Sequence, residues 1–176
     1  MEKIDISKKI RTIPGFPKPG ILFRDITTLL SDSKAFRQVI DDITEIYADK
    51  QIDSVVAIEA RGFIIGAPVA YRLGASFVPV RKKNKLPSDT IAASYDLEYG
   101  SETIEMHSDA IRPGQKVLII DDILATGGTA KAAAELVEKL KGNIAGIAFV
   151  IELTPLKGRD KLSKYEVYSM LKYDEA

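Results

Sequence analysis

The sequence predicts an α/β fold: a mostly parallel, twisted sheet flanked by helices. Three observations carry that expectation. Short apolar, β-rich runs alternate with longer stretches whose apolar residues recur at helical spacing, and strands joined by helical crossovers pair in parallel with helices on both faces. The run VLIIDDILATGGT, Val117–Thr129, sets two adjacent carboxylates, then small residues and hydroxyls, between a buried strand and a helix. The chain has 176 residues, enough for one domain with a real core and few for two, so residues 1–176 read as a single domain.

Met1–Arg11 reads as a short amphipathic helix, with Ile4, Ile6 and Ile10 apolar. Pro14, Gly15, Pro17, Pro19 and Gly20 form a stiff, turn-rich connection, and Ile21–Ile26 a short extended piece. Phe36, Val39, Ile40, Ile43, Ile46 and Tyr47 recur at helical spacing, so Ser33–Tyr47 is a helix with Ser31, Asp32 or Ser33 as its N-cap. Ser54–Ile58 is a buried strand, Gly62–Leu73 a helix and Ser76–Val80 the next strand. Ile91–Tyr95 and Thr103–His107 pair as a hairpin around Glu98–Ser101. Val117–Ile120 is a strand that stops at the two carboxylates. Gly128–Leu140 is a helix with Ala130, Ala133, Val137 and Leu140 on one face, and Ala145–Ile151 and Glu166–Met170 complete the strands.

Composition removes several function classes. Lys and Arg number 25, as do Asp and Glu, whereas nucleic-acid binders carry a basic surplus; no nucleic-acid partner is expected. There is no cysteine, hence no disulfide framework or thiolate metal site. The single histidine, His107, leaves no room for a His-rich zinc site or a His-based triad, and it is assigned no chemistry. The N-terminus MEKIDISKKI has no signal-type apolar core, and the longest apolar stretch, near Ile144–Ile151, is far short of a membrane span. A soluble cytoplasmic protein without a membrane partner is the expectation.

In sheets of this kind ligands bind beyond the C-terminal strand ends. Glu59–Phe63, Arg81–Pro87 and Asp121–Thr129 each follow a strand directly and are expected to converge. Asp121 and Asp122 point to opposite faces if the strand continues, one toward a ligand and one toward the loop; if it has ended, both meet the ligand. Carboxylates there suit sugar hydroxyls or a divalent cation. Ala125, Thr126, Gly127, Gly128 and Thr129 offer little bulk, so backbone N–H groups at the start of a helix can approach a phosphate. Taken alone, TGGT is an ordinary turn with an N-cap; the buried strand and paired carboxylates reverse that. The GK[ST] triplet of a P-loop is missing, and no GxGxxG follows a strand. Arg61 stands at a helix start, a plausible anion position. Arg81, Lys82, Lys83 and Lys85 form a second basic group, or else a Lys-rich surface loop. Phe23 suits one side of a sandwich around a flat apolar ring, with core packing as the alternative. Asn84–His107 is long for a simple connection and suits a mobile hairpin or lid. Tyr165, Tyr168 and Tyr173 read as packing or interface residues.

The run VLIIDDILATGGT resembles the phosphoribosyl pyrophosphate motif of type I phosphoribosyltransferases. FPKPGILFRDIT at Phe16–Thr27, EARGF at Glu59–Phe63, RKKNKLP at Arg81–Pro87, SYDLEYG at Ser94–Gly100 and ELTPLKGR at Glu152–Arg159 resemble the adenine phosphoribosyltransferase family, in its order and over nearly the whole chain. The resemblance implies the type I phosphoribosyltransferase fold, with a small N-terminal hood at about residues 1–32 over the base site and a flexible lid at about 84–107. It implies purine salvage: adenine and 5-phospho-α-D-ribose 1-diphosphate give AMP and diphosphate, with Mg²⁺, through an oxocarbenium-like transition state, in a homodimer. By resemblance Asp121 and Asp122 meet the ribose hydroxyls and the charge developing on the sugar, and Ala125–Thr129 enclose the 5′-phosphate. Arg61, Arg81, Lys82 and Lys85 serve the diphosphate, some across the dimer interface. Mg²⁺ is expected mainly on diphosphate and ribose oxygens and water near Asp121 and Asp122. Phe23 stacks on the purine, Leu22 and Arg24 supply backbone contacts, and Ile123 packs on the other side. Glu98 matches the acid that manages the base proton, which the residues alone read as a solvated hairpin position, and Tyr99 helps position the leaving group. A cis Glu59–Ala60 peptide is implied too. LFRD points to adenine over a 6-oxopurine, whose enzymes commonly set a lysine against the oxygen. A non-catalytic regulator would carry a DNA-binding segment or basic face that this sequence lacks.

Overall fold

The computed structural model describes residues 3–96 and 100–175. Near the N-terminus, β1 (Arg11–Pro14) and β2 (Leu22–Asp25) form a small antiparallel sheet, with Arg11 opposite Asp25 and Pro14 opposite Leu22. Two helices follow, α1 (Thr27–Leu30) and α2 (Ser33–Tyr47). Then come β3 (Ser54–Ile58), α3 (Arg61–Leu73), β4 (Ser76–Lys82), β5 (Thr90–Asp96) and β6 (Ser101–His107). The chain closes with β7 (Lys116–Leu124), α4 (Gly128–Lys139), β8 (Asn143–Leu153) and β9 (Val167–Tyr173). The main sheet has the order β5-β6-β4-β3-β7-β8-β9. Strands β4, β3, β7, β8 and β9 run parallel, and the β5–β6 hairpin adds an antiparallel edge.

Side-chain alternation along the central strands feeds two cores. Val117, Ile119, Ile147 and Phe149 pack with α4, while Leu118, Ile120, Ala148 and Val150 pack with α2 and α3. Helix α2 starts where the Asp32 carboxylate accepts the N–H groups of Lys34 and Ala35, both at 3.1 Å, an N-cap that satisfies donors with no partner inside the helix.

Three differences from expectation have local causes. Instead of a helix over Met1–Arg11, the described part holds one 3₁₀ turn, Ile6–Lys9, capped by Asp5, and Arg11 already belongs to β1. Pairing with β2 gives Arg11–Pro14 ladder bonds, and the Arg11 guanidinium grips Asp25 at 2.6 Å. Helix α1 has four residues, too few to show a period, and starts where Asp25 accepts the Thr27 N–H at 2.9 Å. The third concerns β7, which runs through both carboxylates to Leu124 because β8 continues beside it, pairing Asp121 with Phe149 and Leu124 with Glu152. Ladder bonds are made by the backbone, so charged side chains do not end them.

Candidate active site

Strand β3 pairs with β7 only as far as Ala57 opposite Ile120. From Asp121 onward, β7 keeps β8 on one side, while on the other the chain leaves β3 through Glu59–Ala60 into α3. The gap is a cleft of about 220 Å³, lined by Ile58–Arg61, Tyr95 and Asp121–Ala130. A second cleft, of about 320 Å³, is lined by Ile13, Phe16, Phe23–Thr27 and Arg61. Arg61 lines both, so the two meet at its side chain. Larger depressions of about 690 and 510 Å³ lie along the N-terminal turn and α2, where Lys3, Lys8 and Lys9 pair with Asp42, Asp5 and Asp32. Neither is lined by any residue of the loops that follow β3, β4 and β7, so the smaller strand-end clefts define the site.

Asp122 is 4% exposed, and its carboxylate accepts the Nε–H of Arg61. Asp121 is half-buried and accepts the Asp122 N–H at 2.8 Å. Burial, followed by the neighbouring Asp122 carboxylate, pushes the Asp121 carboxyl well above the usual carboxylate range, against the opposing pull of that N–H and of Arg61. The two carboxyl groups thus share one wall of the cleft, with Arg61 bound to Asp122. The Glu59–Ala60 peptide is cis, as the resemblance implied.

The loop after β4 is tied to the loop after β3 by Glu59. Its carboxylate accepts the Lys82 N–H, the Arg81 Nε–H at 3.2 Å and the Lys85 ammonium at 3.4 Å. Burial works against its charge, yet these donors hold the carboxyl below its usual range. Arg81 and Lys85 therefore converge beside Arg61's loop, while the Lys82 ammonium reaches Glu102 on β6. Lys83 donates its backbone N–H to Thr103 at 3.1 Å.

Phe23 is half-buried and meets Phe16 edge-on, centroids 5.1 Å apart, so it walls the second cleft. Arg24 turns its guanidinium over the Tyr173 ring, 4.1 Å from the centroid, and donates to Thr12 Oγ1 at 2.7 Å. Leu22 pairs with Pro14 at the far end of the small sheet. Ile123 lines the first cleft with Ala125, Thr126, Gly127, Gly128 and Thr129. Glu98 and Tyr99 lie outside the described residues.

Two contributors escaped sequence reasoning. In the sequence Glu59 stands out only through the EARGF segment and the cis peptide with Ala60, with no role for its carboxylate. Tyr95, on the hairpin, lines the first cleft, packs its ring on Gly128 and donates its hydroxyl to Glu102 at 2.8 Å. Its signal in the sequence is the run SYDLEYG, in which the resemblance singles out the acid three positions on.

A parallel sheet with carboxylates, a helix-start loop of small residues and a basic loop at its strand ends defines a sugar-phosphate-binding α/β protein. The phosphoribosyl transferase domain matches residues 26–175. The adenine phosphoribosyltransferase of Clostridium tetani is 57% identical over 171 residues, covering 97% of this chain and 99% of the relative. Among solved structures, that of the Thermoanaerobacter pseudethanolicus adenine phosphoribosyltransferase superposes with a TM-score of 0.93 at 51% identity, covering 96% of this chain and 98% of that one. The Saccharomyces cerevisiae adenine phosphoribosyltransferase, solved with adenine and an imino-altritol bisphosphate, gives 0.90 at 42% identity, with 95% and 97% covered. The chain belongs to the phosphoribosyl transferase family, and within it to the adenine phosphoribosyltransferases.

Proposed function

We propose that the chain transfers the 5-phosphoribosyl group of 5-phospho-α-D-ribose 1-diphosphate to adenine, releasing AMP and diphosphate. One observation carries this most: a polar cleft with paired carboxylates and a small-residue loop meets a cleft walled by Phe23 and Phe16 at a single arginine, Arg61. Such a junction suits a donor sugar and an acceptor base held end to end. That the yeast relative was solved with adenine and a sugar-like bisphosphate supports the same pairing.

In this proposal Ala125–Thr129 hold the 5′-phosphate with backbone N–H groups and hydroxyls. Asp121 and Asp122 bind the ribose hydroxyls and stabilise positive charge on the sugar as its bond to diphosphate breaks. Arg61, Arg81, Lys82 and Lys85 take the diphosphate, exchanging their carboxylate partners for its oxygens. Phe23 and Ile123 sandwich adenine, whose rim meets backbone groups of Leu22 and Arg24. Glu98 receives the proton that the attacking base nitrogen loses, and Tyr99 helps place the leaving group. Catalysis then rests on positioning and preorganised charge, with no covalent nucleophile. The small sheet acts as a hood, and the β5–β6 hairpin as a lid that keeps water from the sugar cation.

The donor set fits Mg²⁺. Asp121 and Asp122 offer hard carboxylate oxygens on the cleft wall, and the diphosphate and ribose oxygens would supply the rest of the ion's ligands. When bound, Mg²⁺ neutralises the departing diphosphate. Within the described residues no helix is long and apolar enough to cross a membrane; a cytoplasmic homodimer is part of the proposal.

The test is a base panel: adenine, hypoxanthine, xanthine and guanine, each with 5-phospho-α-D-ribose 1-diphosphate and Mg²⁺, following diphosphate release. Turnover confined to adenine is expected. Faster release with hypoxanthine would move the assignment to an oxopurine enzyme, and donor binding without release on any base would make the chain a sensor.

A further inference from the structure

We propose that Gly158 is a positioning residue for the 5′-phosphate, forming with Arg159 and Glu152 a fixed floor beneath the phosphate loop; this rests on the donor site proposed above. The segment ELTPLKGR, Glu152–Arg159, lines neither cleft, yet its end lies directly under Ala125–Gly127. A Cβ on Gly127 would collide with the Gly158 carbonyl oxygen and stand 3.0 Å from its carbon. A Cβ on Gly158 would collide with the Ala125 carbonyl oxygen and stand 2.9 Å from both Gly127 N and Leu124 Cδ1. Gly127 also needs its positive φ of 77°; Gly158 has no such need, so its missing side chain serves the contact alone.

The floor is anchored from below. Arg159 donates Nε–H to Glu152 Oε1 at 3.0 Å and a second N–H to Glu152 Oε2, closing a two-point pair with the end of β8. It also donates to the Val167 carbonyl at 2.8 Å and to Ser169 Oγ at 3.3 Å, both on β9. Glu152 is 6% exposed, and Leu162, which closes the 3₁₀ turn Gly158–Leu162, is buried in the core that holds Leu124 and Ala130. One guanidinium thus fixes the turn to two strands and sets the height of Gly158. That height sets where the loop amides point. A methyl at Gly158 drives Ala125–Gly127 into the cleft at its phosphate end, away from the base.

The test measures KM for 5-phospho-α-D-ribose 1-diphosphate, KM for adenine, and the thermal midpoint, in the full chain with Mg²⁺. Gly158→Ala should raise the donor KM by about tenfold or more with adenine KM unchanged, since misplacement by a fraction of an ångström is costly in a preorganised site. Arg159→Lys, which keeps the charge but loses the two-point geometry, should raise donor KM about threefold. Gly146→Ala, crowded by Tyr47 at 2.7 Å on the α2 side, is the control: a lower midpoint with both KM values unchanged. Unchanged donor KM in the Gly158 and Arg159 variants, or donor and adenine KM rising together, overturns the floor. Should Gly158→Ala not fold, Arg159→Lys decides by the same two constants. Wild-type protein that binds neither AMP nor the donor in calorimetry overturns the donor site as well as the floor; wild-type binding with unaffected variants overturns only the floor.

Discussion

Asp122 and Arg61 are the side chains on which the proposed chemistry leans hardest. Asp122 is nearly buried, and its charge is tolerated because Arg61 meets it. Asp122→Asn keeps the shape and removes the charge. It should lower kcat by about 10²-fold, the usual scale for losing one preorganised electrostatic contact, with the thermal midpoint unchanged or raised. Steady-state kinetics beside a melting curve check both halves, and unchanged kcat would remove Asp122 from the site. Asp25 predicts something different. The Thr27 N–H, then Arg11 and the Thr27 hydroxyl, hold its carboxyl down to about 2. A lowered acid stabilises the fold above its unfolded value, near pH 4, and that contribution is lost as pH falls toward 2. Asp25→Asn should therefore cost about 1 kcal/mol at pH 7, discounted because Arg11 is half exposed, and progressively less below pH 4. Urea midpoints across that range measure it, and a pH-independent gap would show that packing, not charge, holds Asp25.

At the scale of elements, the hairpin packs into the α4-side core through Ala93, Ile104 and Met106, and a few side chains tie it to the site. Strand β6 meets β4 through Arg81 opposite Glu105 and Lys82 opposite Ile104, while Tyr95 rests on Gly128 and Glu102 receives both Tyr95 and Lys82. Tyr95→Phe keeps the ring and should leave donor KM within about twofold, whereas Tyr95→Ala frees the hairpin from the phosphate loop and should raise it about fivefold. Equal effects would assign the role to the hydroxyl. Elements whose sequence carries a long period were legible in advance: α2 spans Ser33–Tyr47 and β3 spans Ser54–Ile58, both as expected. The misjudged ones depend on partners distant in the chain. Arg11–Pro14 is a strand because Leu22–Asp25 pairs with it, and β7 passes its carboxylates because β8 does too. The same division holds for the site. Motif residues at strand ends could be named from the sequence, but Glu59's grip on the basic loop and Tyr95's seat on Gly128 arise from tertiary juxtaposition, which spacing does not encode.

At the scale of the whole molecule, an apolar face among the described residues lies uncovered beside the proposed site. Ile64, Ala67 and Tyr71 recur along the outer side of α3, with Ile64 44% and Tyr71 84% exposed, and Phe77 of β4 lies against Phe63 while remaining 38% exposed. A row of apolar side chains at this spacing is the kind of surface that associates. Arg61 begins the same helix and lines both clefts, so whatever covers α3 also borders the site. In the homodimer proposed above, a second copy seated there would bring its own strand-end loops toward the diphosphate position. Light scattering should then give twice 19.3 kDa at micromolar concentration. Ile64→Asp combined with Tyr71→Asp should give 19.3 kDa, with donor KM raised and a folded circular dichroism spectrum. These positions lie outside both cores, so the charge penalty falls on association and not on folding. A wild-type monomer, or a double variant that remains a dimer, would place the interface elsewhere or dispense with it. A monomeric variant with unchanged donor KM would show that each subunit's diphosphate site is complete in itself.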